Sequence, residues 1–186
     1  MTRFEIQELP LAGLKLIKRQ QLGDARGHFS RLFCSQELAH AGWTVPIAQI
    51  NHSVTAKCGT VRGMHFQKPP HTEIKLVTCL RGSVWDVAVD VRAESATFLH
   101  WHAQCLTAEN LYSMLIPEGF AHGFQTLSDD CELIYLHSKP YVTEAESALN
   151  AFDGLLCIDW PLSVTVRSER DTAHPWLDDG FKGVIL

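Results

Sequence analysis

The chain has 186 residues, 46% of them hydrophobic and 20% charged, with a formal net charge of −5. That length suits one domain with a substantial core, and the composition is that of a globular protein in water. A net negative charge offers no field to hold a polyanion, so nucleic acid is not an expected partner, whereas a small anionic ligand needs only a local arginine.

The N-terminus, MTRFEIQELP, lacks the apolar centre of a signal peptide, and no apolar run reaches the length of a membrane span. The expected location is the cytoplasm, with no membrane partner. Six cysteines (Cys34, Cys58, Cys79, Cys105, Cys131 and Cys157) are scattered without a CxxC pair. In a reducing compartment they read as small buried hydrophobes, not as disulfides or metal ligands.

Residues 5–19 alternate weakly around Leu14 and Ile17, which predicts short strands. A turn cluster, Gly23-Asp24-Ala25-Arg26-Gly27, precedes HFSRLF, with Phe29, Leu32 and Phe33 apolar. Residues 35–42 read as a short helix capped by Ser35 and ended by Gly42. From residue 46 strand follows strand: PIAQINHS, then TVRGMHF after a Cys58-Gly59 turn. IKLVTCL and SVWDVAVDV flank Arg81-Gly82, which reads as a tight hairpin. TFLHWHAQCLT, LYSMLIP, GFQTLS and CELIYLHS continue the series; EAESALNAF reads as a short helix or loop. Beyond Trp160, Pro, Asp and Gly predict an ordered loop over the body. Short strands at regular spacing predict an all-β barrel or double-sheet jelly roll in a single domain, residues 1–186, without repeat or linker. A barrel of this size can leave a cavity at one mouth.

The chemistry-bearing residues gather around GTVRGMHFQKPPHTEIK, residues 59–75, answered downstream by IPEGFAHGF, residues 116–124. Strand alternation puts His65 on one face with Val61 and Gly63, and Arg62, Met64 and Phe66 on the other. A lone histidine there would be a core residue bonded to backbone. With Arg62, Gln67 and Lys75 close in sequence and His122 in a glycine-rich turn, a functional group is the better reading, because dense polar groups on a strand scaffold are costly unless paired or used. Lys75 is either an outward lysine on an edge strand or a buried ammonium facing a developing oxyanion. Tyr135 is either a packed aromatic or a proton donor. Asp171 is either a turn residue or the carboxylate that orients His65. Of Asp86 and Asp90, at period two on an apolar strand, one can face the cavity, but a solvent-facing stripe is the plainer expectation. Arg26 beside Gly27 suits phosphate capture. A divalent-metal site would need His65, Gln67, Glu73 and His122, and glutamine in place of a second histidine makes a poor ligand set.

In order and spacing, DARGHF, QINHS, GTVRGMHFQ, IKLV, GSVWDVAVDVR, IPEGFAHGF, ELIYL, IDWP and RSERD cover about Asp24 to Leu177. Through them the chain resembles the dTDP-4-dehydrorhamnose 3,5-epimerase family, nucleotide-sugar epimerases of the cupin superfamily. The resemblance implies an all-β, cupin-type jelly-roll barrel with short peripheral helices and a homodimer, in which N-terminal strands can pair with the partner. It implies no cofactor and no metal, and a dTDP-4-keto-6-deoxy sugar as substrate in deoxysugar biosynthesis. Carried over by position, His65 is the catalytic base, Asp171 its dyad partner, Tyr135 the general acid and Lys75 the support of the enolate. Arg62 and His122 match substrate contacts; Arg26, Phe29, Gln49 and Asn51 match nucleotide contacts, part of which can come from the dimer partner. Arg31 departs from the glutamate common near that position. The alternatives are a 3-epimerase or 3,4-ketoisomerase for another nucleotide sugar, and a metal-dependent or purely sugar-binding cupin.

Overall fold

The computed structural model describes residues 2–186. The strands are β1 (Phe4–Glu8), β2 (Lys15–Arg19), β3 (Gln21–Asp24), β4 (Gly27–Ser30), β5 (Gln49–Thr55), β6 (Val61–Gln67), β7 (Lys75–Arg81), β8 (Ser83–Asp90), β9 (Trp101–Thr107), β10 (Tyr112–Ile116), β11 (Phe120–Thr126), β12 (Cys131–His137) and β13 (Glu146–Ala148). Two one-turn helices, α1 (Ser35–Leu38) and α2 (Glu169–Thr172), lie at the periphery.

A six-stranded sheet runs β1-β2-β10-β7-β12-β5, and a five-stranded sheet runs β13-β6-β11-β8-β9. The two sheets face one another as the jelly roll that the strand spacing predicts, while β3 and β4 pair only with each other as a separate hairpin. Residues from both sheets fill the space between them, among them Leu16, Val77, Val84, Ala88, Met114, Phe124 and Leu133. The outer face of the five-stranded sheet is also apolar, and the C-terminal segment covers it: Val87, Val89 and Val91 pack with Leu149, Ala151, Leu156 and Val184. On the six-stranded sheet, Ile17, Leu76, Leu115 and Leu136 receive Leu38, Ala41 and Trp43 from the α1 region. β1 and β2 find their partners inside the chain.

Arg81-Gly82 is not a hairpin. β7 pairs with β10 and β12, and β8 with β11 and β9, so the turn is a corner that carries the chain from one sheet to the other. Alternation marks both segments as extended and says nothing of which edges hydrogen-bond; here both edges of each strand are already occupied. Gly82 takes a positive φ of 74°, and a side chain there would meet Ser128 and Cys131. Nor do Asp86 and Asp90 form a solvent-facing stripe, since both are 0% exposed. Asp86 points with Val84 and Ala88 into the barrel, and Asp90 is ringed by Arg92, Ser95 and Thr97. The α1 helix is capped by Cys34, with Ser35 its first residue, and continues as a 3-10 turn to Gly42, whose φ of 102° ends it. EAESALNAF divides: a 3-10 turn ends at Ala145, Glu146–Ala148 form β13 on β6, and the rest is the loop expected.

The alternation along β6 also breaks. His65 pairs with His122, but Arg62 pairs with Phe124, so β6 carries one extra residue at Gly63-Met64. Val61, Met64 and Phe66 pack under the C-terminal cover, while Arg62 and His65 turn to the barrel mouth. His65 therefore does not share a face with Val61, as a regular strand would require. The bulge needs two facing glycines: a Cβ on Gly63 would stand 2.5 Å from Gly123 Cα, and one on Gly123 would stand 2.6 Å from Arg62 O. Gly123→Ala is expected to cost roughly 1–3 kcal/mol in urea unfolding, the usual range for overpacking. An unchanged midpoint would contradict the close approach of β6 and β11.

Candidate active site

A cavity of about 550 Å³ opens at the barrel mouth. β6 and β11 of the five-stranded sheet supply Arg62, His65 and His122; β5, β7 and β12 of the facing sheet supply Asn51, Ser53, Lys75, Tyr135 and His137; α2 supplies Asp171.

His65 Nε2 lies 2.7 Å from Asp171 Oδ1, and Gly63 N donates to Asp171 Oδ2 at 3.4 Å. Ser168 caps α2 by accepting from Asp171 N at 3.0 Å, and Arg167 holds Asp171 O at 2.7 Å, so the carboxylate is fixed by its own helix turn. With the carboxylate accepting from Nε2–H, His65 keeps Nδ1 as its basic nitrogen. Burial pushes the Asp171 carboxyl upward, but the His65 hydrogen bond and charge, aided by Gly63 N–H, overrule it and hold the group down at about 2. Asp171 is thus a buried carboxylate behind the imidazole and not a mere turn residue.

Tyr135 stands on the opposite sheet. Its hydroxyl is 3.1 Å from Ser53 Oγ, and its ring packs edge-on to His122 and stacked with His137. Burial pushes the phenol above its usual range, so it holds its proton at neutral pH. Lys75 is 7% exposed and is no outward edge lysine. Its ammonium sits 3.1 Å from Glu73 Oε1 and donates to His65 O at 3.4 Å. Glu73 also accepts from His137 Nδ1 at 2.8 Å. Burial raises the Glu73 carboxyl, yet His137 and Lys75 together bring it below its ordinary value. His122 Nε2 lies 2.7 Å from Asp86 Oδ1, a second imidazole–carboxyl pair, in which burial pushes Asp86 upward against the pull of His122.

Arg62 Nε donates to Thr55 Oγ1 at 3.2 Å. Asn51 lines the cavity, and Gln49 sits behind it, donating to Asn51 Oδ1 at 3.0 Å and accepting from Tyr141 N at 3.0 Å. Arg26 and Phe29 are not brought to the cavity. They lie on the β3–β4 hairpin, where the Arg26 side chain is 89% exposed and pairs with Asp24, and Phe29 is 67% exposed. Arg31, in turn, is paired with Glu37. The four positions of the metal reading are otherwise engaged. Gln67 donates to His71 O and Pro140 O and accepts from Val142 N; Glu73 holds Lys75 and His137; His122 holds Asp86. Such committed side chains make a poor metal cage.

Sequence reasoning passed over His137, two residues beyond Tyr135 on the same strand and so on the same face, and the rim pair Glu146 and Arg170, joined at 2.5 Å. It also passed over His174, one helical turn after Asp171.

The arrangement can remove a carbon-bound proton on one side of a bound ligand, return one from the other side, and hold an oxyanion between. A family model described as dTDP-4-dehydrorhamnose 3,5-epimerase matches residues 8–179. The chain belongs to the dTDP-4-dehydrorhamnose 3,5-epimerase family. A family member from Sinorhizobium fredii is 42% identical over 172 residues, covering 92% of this chain and 88% of that protein. The crystal structure of a dTDP-6-deoxy-D-glucose-3,5-epimerase from Legionella pneumophila, in complex with dTDP-4-keto-L-rhamnose, superposes with a TM-score of 0.91 at 36% identity, covering 98% of each chain. A 3'-monoepimerase from Streptomyces bikiniensis, in complex with dTDP-quinovose, superposes at 0.85 with 32% identity, covering 90% of this chain and 85% of that one. The family's jelly roll is therefore the fold here, and the chain is an epimerase by family.

Because the Asp171 carboxyl is depressed in the folded protein, its contribution to stability is full above its unfolded value and is lost as pH falls through about 2. Wild type is expected to lose about 2 kcal/mol relative to Asp171→Asn between about pH 5 and about pH 2. Paired urea titrations read this difference directly; a difference independent of pH would remove the buried carboxylate–imidazole pair.

Proposed function

We propose that this chain epimerises a dTDP-4-keto-6-deoxy sugar, at C3, at C5 or at both, in the supply of a deoxysugar such as rhamnose. The observation that carries this reading is that the His65–Asp171 pair and the Tyr135 phenol come from facing sheets across one cavity. Inversion at carbon needs a base and an acid on opposite faces of the ring, and one strand cannot supply both.

The protons on C3 and C5 are each α to the C4 ketone. His65 Nδ1 takes one as base, with Asp171 stabilising the imidazolium that forms. The electron pair moves to O4 as an enolate. Lys75 and His122, buried side chains of the cavity lining, donate to that oxyanion, and their burial strengthens each hydrogen bond. Tyr135 returns a proton to the other face, which inverts the centre. Arg62 and Asn51 contribute substrate contacts at the cavity wall. No step requires a cofactor or a metal.

The nucleotide contacts Arg26 and Phe29 are exposed on the β3–β4 hairpin of their own subunit. A homodimer in which this hairpin reaches the partner's cavity accounts for their position, with Gln49 and Asn51 completing the nucleotide site. Residues 1–186 then act as one domain. Six free cysteines suit the reducing cytoplasm, and no helix among the described residues is long and apolar enough to cross a membrane.

His65→Asn is expected to abolish exchange of substrate protons in D₂O while the protein stays folded. Tyr135→Phe is expected to slow inversion by roughly 10²–10⁴-fold, the usual contribution of a positioned acid. Proton NMR with dTDP-4-keto-6-deoxyglucose reads the outcome: deuterium at C3 and C5 marks a double epimerase, deuterium at C3 alone a single one. A folded, active His65→Asn protein removes the base from this account. Analytical ultracentrifugation is expected to give twice the chain mass, and Arg26→Ala is expected to raise KM for the dTDP sugar; a fully active monomer would dismiss the shared site.

A further inference from the structure

Asp171 carries a second imidazole. His174 Nε2 lies 3.3 Å from Asp171 Oδ1, the same oxygen that His65 holds at 2.7 Å. The His174 contact lacks the alignment of a hydrogen bond, so this buried nitrogen has no partner of its own. The two rings meet edge to face with centroids 5.4 Å apart. His174 is held there through its backbone: Asn150 Nδ2 donates to His174 O at 3.2 Å, and Asn150 N donates to Pro175 O at 3.3 Å. Arg167, which binds Asp171 O, also binds Asn150 Oδ1 at 3.2 Å, so one side chain ties both supports together. An unpartnered ring nitrogen is costly to bury, about 1–3 kcal/mol, and a purely structural site would be better served by a phenyl ring.

We infer that His174 is a positioning residue for the base: it shares the Asp171 carboxylate with His65 and so limits how far that carboxylate can stabilise the imidazolium of His65. One oxygen at these distances cannot satisfy two imidazolium ions. When His65 takes a proton from the sugar, its charge forms 5.4 Å from the second ring, and His174 must stay neutral. Three charged or titratable groups act on His174: His65 from β6, and Asp171 and Arg170 from α2. Burial lowers the proton affinity of His174, His65 and Arg170 lower it further, and Asp171 opposes them. His174 therefore stays neutral at neutral pH and acts on His65 by standing 3.3 Å from the shared Oδ1 and by excluding a second positive charge. The consequence is a base that gives its proton back more readily than one with sole use of a buried carboxylate.

For turnover this inference rests on His65 being the base; for the coupling of the two rings it does not. The test is nitrogen-correlated NMR of the imidazoles through acid titration, on wild type, His174→Phe and His174→Gln. Wild type is expected to show two coupled steps shared by His65 and His174. In His174→Phe, which keeps the edge-on ring and removes the nitrogen, His65 is expected to titrate in a single step above its wild-type position. In His174→Gln the rise is expected to be smaller, because a polar amide still stands beside the oxygen without carrying a charge. The acid limb of kcat/KM is expected to move upward with the His65 titration. An unmoved or lowered His65 titration in the folded variants overturns the inference, whatever the enzyme's rate. An active His65→Asn protein would defeat the base assignment and leave the titration to decide the coupling.

Discussion

The hydrogen bond from His65 to Asp171 joins residues 106 positions apart, and it exists only when the C-terminal segment is docked along the five-stranded sheet. That docking is sewn in several places. Val61 N donates to Val166 O, Thr165 N to Gly59 O, and Gln125 exchanges hydrogen bonds with Leu162. Leu149, Ala151 and Leu156 bury the apolar outer face of β8 beneath them. The hydrophobic effect thus places the segment, and the backbone bonds set its register within reach of hydrogen-bond geometry. A carboxylate on so irregular a stretch is held firmly because the stretch is the cover of a core and not a free tail.

The cavity is organised on one electrostatic plan. Each polar group that faces it has an oppositely charged or polar partner behind it: Asp171 behind His65, Asp86 behind His122, and Glu73 behind Lys75 and His137. Burying one such charge alone is expensive, and a pair is stable only if its geometry and remaining hydrogen bonds are good. Pairing fixes the direction of each donor before any ligand arrives, so little reorganisation is needed to meet negative charge in the cavity. It also explains how a chain with a net negative charge can hold a cavity lined by imidazoles and buried cations.

Sheet geometry supplies what pairing cannot. The two walls of the cavity belong to different sheets, and the corner at Gly82 is the kind of junction that places them face to face. The bulge at Gly63-Met64 then turns His65 from the packed outer face to the open mouth. Without it, strand alternation would bury the imidazole under the C-terminal cover. The two glycines at that crossing are there because the strands leave no room for a Cβ.

By itself the sequence determined the strand content, the near-boundaries of most strands and the jelly-roll class, because period-two alternation and turn residues are local properties of the chain. Its ordered motifs also determined the family and singled out His65, Tyr135, Asp171 and Lys75, residues scattered over more than a hundred positions. Only the tertiary structure decided that Arg81-Gly82 joins two sheets, that Asp86 and Asp90 lie inside, and that His65 faces the mouth and not the Val61 side. It alone also decided that His174 leans on the same carboxylate as His65. Each of these depends on which strand edges pair and where one extra residue is absorbed. Those choices are made by packing between segments far apart in the chain, and no local pattern encodes them.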